Sequence, residues 1–166
     1  NEEIGSETRQ GADSLILSNI LERIVYSLEG NRQNFLEITS RSFMISADGA
    51  HAIHPNKPSL TDPTNHPMLN KGPVIKLSSN FRYTTDSYTG SIIRQIAEEN
   101  KINYQYFVNR SDLQGGSTIG PVSSKYLPIP SIDLGIPMLS MHSIRELCGT
   151  EDLFALKNLL KEFYNY

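Results

Sequence analysis

The chain has 166 residues, enough for one domain with a sizeable core. Its formal net charge is −3, and no stretch interleaves basic residues with aromatics, which argues against a nucleic-acid partner. No apolar run is long enough to span a bilayer. The single cysteine, Cys148, excludes an intramolecular disulfide framework and fits a reducing, cytoplasmic setting.

In chain order, residues 12 to 29 set Leu15, Ile16, Ile20, Leu21, Ile24, Val25 and Leu28 at helical spacing. This predicts a helix buried along that stripe, with Asp13 as its cap and Gly30-Asn31 as its stop. Ser42 to Ala47 predicts a buried strand ending at Asp48. Residues 49 to 73 show no period and hold three of the four histidines and five of the nine prolines, so a long loop is expected, of the kind that carries function.

Val74 to Ser78 predicts a second strand, with Ile75 and Leu77 on one face and Lys76 on the other. Asp86 is placed to cap a helix running through Glu98 and buried by Ile92, Ile93, Ile96 and Ala97. A third strand is expected from Tyr104 to Val108, then a glycine-rich turn from Gly115 to Pro121 that leads into a short helix or a further turn. A short strand from Ile132 to Leu134 is expected to end at Gly135. Thr150 is expected to cap a last helix, buried along Leu153, Leu156, Leu159, Leu160 and Phe163. Helices and strands alternate without repeats, which predicts an α/β fold, a layered sheet flanked by helices.

A few residues stand out chemically. Glu2 and Glu3 are tandem acids that read either as solvent-facing or as part of a site. Asp48 follows a buried strand, where ligands sit in α/β sheets, and reads equally as a turn residue. Asp48 and His51 are close enough in sequence to share one turn. His142 lies in the loop before the last helix and reads as a hydrogen-bonded structural residue or as a ligand. Glu3, Asp48 and His142 offer the oxygen and nitrogen donors that zinc, manganese or cobalt accept, and a neighbouring carboxylate, Glu2, could take a proton from activated water. Their dispersal along the chain suits a site at a sheet's rim rather than a compact finger. The stretch from Gly115 to Gly120 lacks both the phosphate-loop ending and the dinucleotide spacing. Cys148 has no base oriented by a third group and reads as structural.

The segments NEEIGS, SADGAHAIHPN, LNKGPVIK, RYTTD, GSTIGP, DLGIP and LSMHSIRELCGT, in this order from residue 1 onward, resemble the M18 family of metallo-aminopeptidases, the aspartyl aminopeptidase group. The resemblance implies the C-terminal part of a zinc-peptidase-like (phosphorylase/hydrolase-like) catalytic domain over residues 1–166. An upstream part, with a His-x-Asp motif and a metal-bridging aspartate, and an inserted dimerisation domain are expected to be absent. The start on Asn1 agrees with a fragment or a processed product. Carried over by position, the resemblance implies Glu2 as general base and Glu3, Asp48 and His142 as metal ligands. His51, Lys76, Tyr83, Gly116, Ser117 and Thr118 are implied to line the substrate pocket. It implies two divalent ions, zinc above all with manganese or cobalt as variants, peptide substrates with a free N-terminus, an acidic first residue favoured by Lys76, and assembly into a dodecamer. Two other outcomes stay open: an inactive structural remnant, and a metallo-carboxypeptidase or acylase in which Lys76 or Arg82 meets a substrate carboxylate.

Overall fold

A computed structural model describes residues 3–166. Two helices open it, α1 (Ile16–Ser27) and α2 (Arg32–Ser40), followed by strand β1 (Met44–His51) and a single 3₁₀ turn at Pro58–Leu60. Next come β2 (Val74–Leu77), α3 (Ser87–Glu99), β3 (Gln105–Val108) and the short α4 (Ile119–Ser124). The chain finishes with β4 (Ser131–Leu139), the two-residue β5 (Leu147–Cys148) and α5 (Thr150–Asn165). The sheet order is β1-β4-β2-β3, with β5 added beside β4. β1 runs parallel to β4 and β2 parallel to β3, while β2 and β4 are antiparallel. The expected α/β sheet flanked by helices is present. No helix among the described residues is long and apolar enough to cross a membrane.

The pleat divides the sheet into two unlike faces. Ile45, Ile75, Leu77, Ile132, Leu134 and Ile136 point toward α3 and α5, where Ile93, Ile96, Ala97, Leu156 and Leu159 complete the main core. Each fully buried Ile or Leu in this layer contributes about 1.5–3 kcal/mol. The alternate positions, Ser46, Asp48, Lys76, Asp133 and Gly135, face the other way, together with a small apolar cluster of Ala50, Val74, Tyr83 and Phe107.

Several expectations about single elements need correcting. β4 does not end at Gly135, nor β1 at Asp48: the two strands pair from Met44↔Ser131 to His51↔Met138. Gly and Asp resemble terminators in isolation, but here pairing overrides propensity. At Gly135 an added Cβ would lie 2.7 Å from the Ala50 Cβ and 2.9 Å from the Lys76 Cε, so glycine makes room for the lysine stem. Asp13 does not cap α1. It accepts hydrogen bonds from Lys125 Nζ at 3.0 Å and Tyr126 OH at 2.7 Å, tying the start of the chain to the segment after α4. The expected α1 stripe is largely uncovered: Val25 is buried against Phe35 and Leu127, whereas Leu15, Ile16, Ile20, Ile24 and Leu28 are exposed.

Helix α2 starts where only a stop was expected. Asn31 and Asn34 form a reciprocal capping box, with N···Oδ1 distances of 2.9 and 3.1 Å. Asp86 caps α3 as expected, accepting from the Thr89 N–H at 2.7 Å. Thr150 does not cap α5; the residue before it, Gly149, holds that position without a side-chain bond. Leu153 is exposed, because the inner face of the first turn belongs to Asp152.

Asp152 is fully buried, and its carboxylate accepts from the Asn70 N–H at 2.7 Å and the Gly72 N–H at 2.8 Å. Asn70 returns the contact by accepting from the Glu151 N–H at 3.1 Å. The end of the long loop is thus bolted to the start of α5, where a carboxylate also suits the helix dipole. Asp152→Ala should cost about 3 kcal/mol, since it strands the buried Gly72 N–H and the half-buried Asn70 N–H. Denaturant unfolding should show a lower midpoint with an unchanged slope.

Candidate functional site

The polar face of the sheet forms the floor of a cavity of about 530 Å³. Its walls come from the ends of β1, β3 and β4, the loop after β1 and the glycine-rich turn before α4. Glu3, Asp48, His51, Lys76, Tyr83 and His142 all line it, and so do Gly116, Ser117 and Thr118. Glu2 lies outside the described residues. Residues far apart in the chain meet here because β1 and β4 run in register, so that the chain after each strand leaves at the same sheet edge.

His142 stands on a tight turn after β4. Ser140 and His142 both adopt the left-handed conformation, with φ of 59° and 67°, which is uncommon for residues other than glycine. The His142 N–H donates to Glu146 Oε1 at 2.6 Å, and this bond helps to hold the turn. The imidazole then reaches Glu3, with Nε2 at 2.9 Å from Oε1. Asp48 does not join this pair directly. Its carboxylate faces Lys76, with Oδ2 at 3.9 Å from Nζ, and also accepts from its neighbour's Gly49 N–H at 2.7 Å. Among the described residues no group of three or more His, Cys, Asp or Glu side chains stands close enough to hold a metal ion. The three expected ligands therefore divide into a contacting pair and a third donor elsewhere on the same cavity.

Lys76 is only 3% exposed, with its ammonium 5.6 Å from the centre of the Tyr83 ring. Burial lowers its pKa, and the carboxylates of Asp48 and Asp133 oppose that shift. Burial also raises the Tyr83 pKa, and the hydroxyl receives a long contact from Asn109 Nδ2 at 3.5 Å. His51 packs 6.3 Å from the ring of Phe107, which lines the same cavity. Partial burial, followed by the nearby charges of Lys76 and His142, holds its pKa below the usual histidine range. At neutral pH His51 is therefore an uncharged imidazole and Tyr83 an intact phenol, and each can donate one hydrogen bond to developing negative charge.

Sequence reasoning missed Asn109 and Asp133. Asn109 carried no local signal. Asp133 did, as a lone acid between Ile132 and Leu134 in an apolar strand, since a charge survives there only if it is fully partnered.

The chemistry of this cavity can be set beside known proteins. The profile of the family described as "Aminopeptidase I zinc metalloprotease (M18)" matches residues 1–164. The chain is 55% identical over 165 residues to the "Probable M18 family aminopeptidase 2" of Clostridium novyi (strain NT), covering 99% of this chain and 38% of that protein. It is 52% identical over 165 residues to the protein of the same name in Clostridium acetobutylicum, with the same coverage of 99% and 38%. The chain thus spans well under half the length of these curated relatives. Among solved structures, one chain of the Ape4 and Nbr1 complex superposes with a TM-score of 0.91 at 43% identity, covering 98% of this chain and 31% of that one. The S. cerevisiae mApe1 dodecamer superposes with a TM-score of 0.83 at 32% identity, covering 100% and 36%.

Proposed function

The chain belongs to the family of aminopeptidase I zinc metalloproteases (M18), and on that premise we propose that it supplies the C-terminal part of the catalytic domain of an aminopeptidase that removes acidic residues, Asp or Glu, from peptide N-termini. The observation that carries this reading is one cavity lined by Glu3, Asp48 and His142 and floored by the buried Lys76. The full-length protein would add the remaining metal donors and would assemble into a dodecamer, the state in which the similar mApe1 was solved.

The donor set fits a hard or borderline divalent cation: two carboxylates and an imidazole suit zinc, manganese or cobalt. Glu3, Asp48 and His142 would hold such ions. When bound, they would polarise the scissile carbonyl and lower the pKa of the attacking water. The chain's own residues do the rest. Glu2 takes a proton from the attacking water as oxygen bonds to the carbonyl carbon, then gives it to the departing amine as the C–N bond breaks. The neutral His51 or the Tyr83 phenol donates to the oxyanion. The carboxylates of Glu3 and Asp48, which line the cavity, draw the substrate's α-ammonium, which confines cleavage to the first residue. Lys76 meets its carboxylate side chain as a compact point charge.

The test is made in the full-length protein. Asp48→Ala and His142→Ala should each reduce divalent metal bound per chain, titrated after chelation. Both should also abolish release of Asp or Glu from peptides with a free N-terminus. Full occupancy at ordinary affinity in both variants would remove them from the ligand set. Activity confined to substrates with a free C-terminus would favour a carboxypeptidase instead.

A further inference from the structure

Asp133 has no part in the reaction just described, yet it is the best-connected side chain beneath the cavity. It is fully buried in β4. The antiparallel register, Val74↔Gly135 and Ile75↔Leu134, continues to place it opposite Lys76 on the cavity face. Its Oδ2 accepts from the Thr84 N–H at 2.7 Å and the Thr84 hydroxyl at 2.9 Å. Its Oδ1 accepts from the Thr118 hydroxyl at 2.6 Å. Its own N–H donates to the Thr85 hydroxyl at 3.0 Å. Gly120 lies flush against the carboxylate: a Cβ there would sit 2.5 Å from Oδ2, so that no other residue fits without displacing it.

These bonds reach two separate segments. Thr84 follows Tyr83, and Thr118 ends the turn that presents Gly116 and Ser117 to the cavity. A second link joins the same segments directly, since the Ser117 hydroxyl donates to the Arg82 carbonyl at 3.1 Å. A buried carboxylate is costly unless its oxygens are occupied, and one whose donors come from two loops makes the position of each depend on the other. If Asp133 only filled the core, an apolar residue of similar volume would do as well.

We propose that Asp133 is a positioning residue: by binding Thr84 and Thr118 at once, it fixes the cavity wall of Tyr83 and the Ser117–Thr118 turn against which the side chain of the substrate's first residue rests. The assignment of that wall to a substrate side chain depends on the aminopeptidase reading; the coupling of the two segments does not.

Two measurements on the full-length, metal-loaded protein test it. Thr84→Val removes one hydroxyl from Asp133 at a residue given no contact with substrate. It should raise KM for an Asp-linked chromogenic substrate about fivefold to tenfold, the scale of one ordinary hydrogen bond, since the Thr84 N–H still reaches the carboxylate. Bound metal should not change, and Thr84→Ser should restore KM. A lower unfolding midpoint with unaltered KM would mean a structural role alone and would overturn the proposal. Amide hydrogen exchange on Asp133→Val gives a readout free of activity: exchange should accelerate together in residues 82–85 and 116–120, about tenfold or more, and nowhere else. Acceleration in one segment alone would overturn the coupling. If Asp133→Val does not fold, the same comparison on Thr84→Val decides it. A wild-type protein with no aminopeptidase activity would refute the catalytic reading, and the exchange result would still decide whether Asp133 joins the two segments.

Discussion

In the full-length protein, Glu2→Gln is expected to keep its metal and to lose about 10²–10⁴-fold in kcat. The two adjacent acids are assigned different tasks. Glu3 contacts His142 and is proposed as a ligand, while Glu2 is proposed to take the proton. Glutamine keeps the size and polarity of the side chain but cannot accept a proton at neutral pH, so binding should persist where proton transfer does not. Metal analysis beside single-turnover kinetics separates the two roles. Loss of metal with substantial residual turnover would make Glu2 a ligand and would move the search for the base elsewhere.

Lys76→Met should lower kcat/KM for N-terminal Asp and Glu substrates about 10–100-fold, the scale of a lost charge-assisted contact, and for Leu or Ala substrates only a few-fold. Methionine fills the stem's volume beside Gly135 and removes only the charge. Because Lys76 is 3% exposed, its attraction for a carboxylate is poorly screened, so the proposed acidic preference should survive added salt. Equal losses across all four substrates would assign Lys76 to holding Asp48 and Asp133 in place rather than to selecting substrate.

Local patterns in the sequence were enough for α3 and most of α5, because Asp86 and the buried Ile93, Ile96, Leu156 and Leu159 repeat at helical spacing. They failed where tertiary pairing supplies the reason for a residue. Gly135 resembles a strand end until Lys76 is seen packed across it, and Asn31 resembles a stop until Asn34 completes a second cap. The α1 stripe was legible, but spacing says only that a helix is amphipathic, not what covers it. The site lay further out of reach. Glu3, Asp48 and His142 share no spacing rule, and their candidacy as a set rested on donor chemistry and on a family resemblance. Sheet register then brings Asp48 and the turn of His142 to one cavity, which Glu3 reaches through its contact with His142, while Asp48 faces Lys76 instead.

The two faces of the sheet also shape how such a protein can evolve. Along β4, Asp133 and Gly135 lie on the face of the sheet that carries the cavity, while Ile132, Leu134 and Ile136 answer to α3 and α5. Selection on the cavity and selection on folding therefore fall on alternate letters of the same short words. A lineage can change the residues that line the cavity without disturbing the layer that keeps the chain folded. It can also exchange one aliphatic residue for another on the opposite face with no change at the cavity. An insertion or deletion of one residue within β1 or β4 forfeits both properties at once, because it swaps every subsequent side chain to the wrong side. The lengths of these strands should therefore vary less among descendants than the residues that compose them.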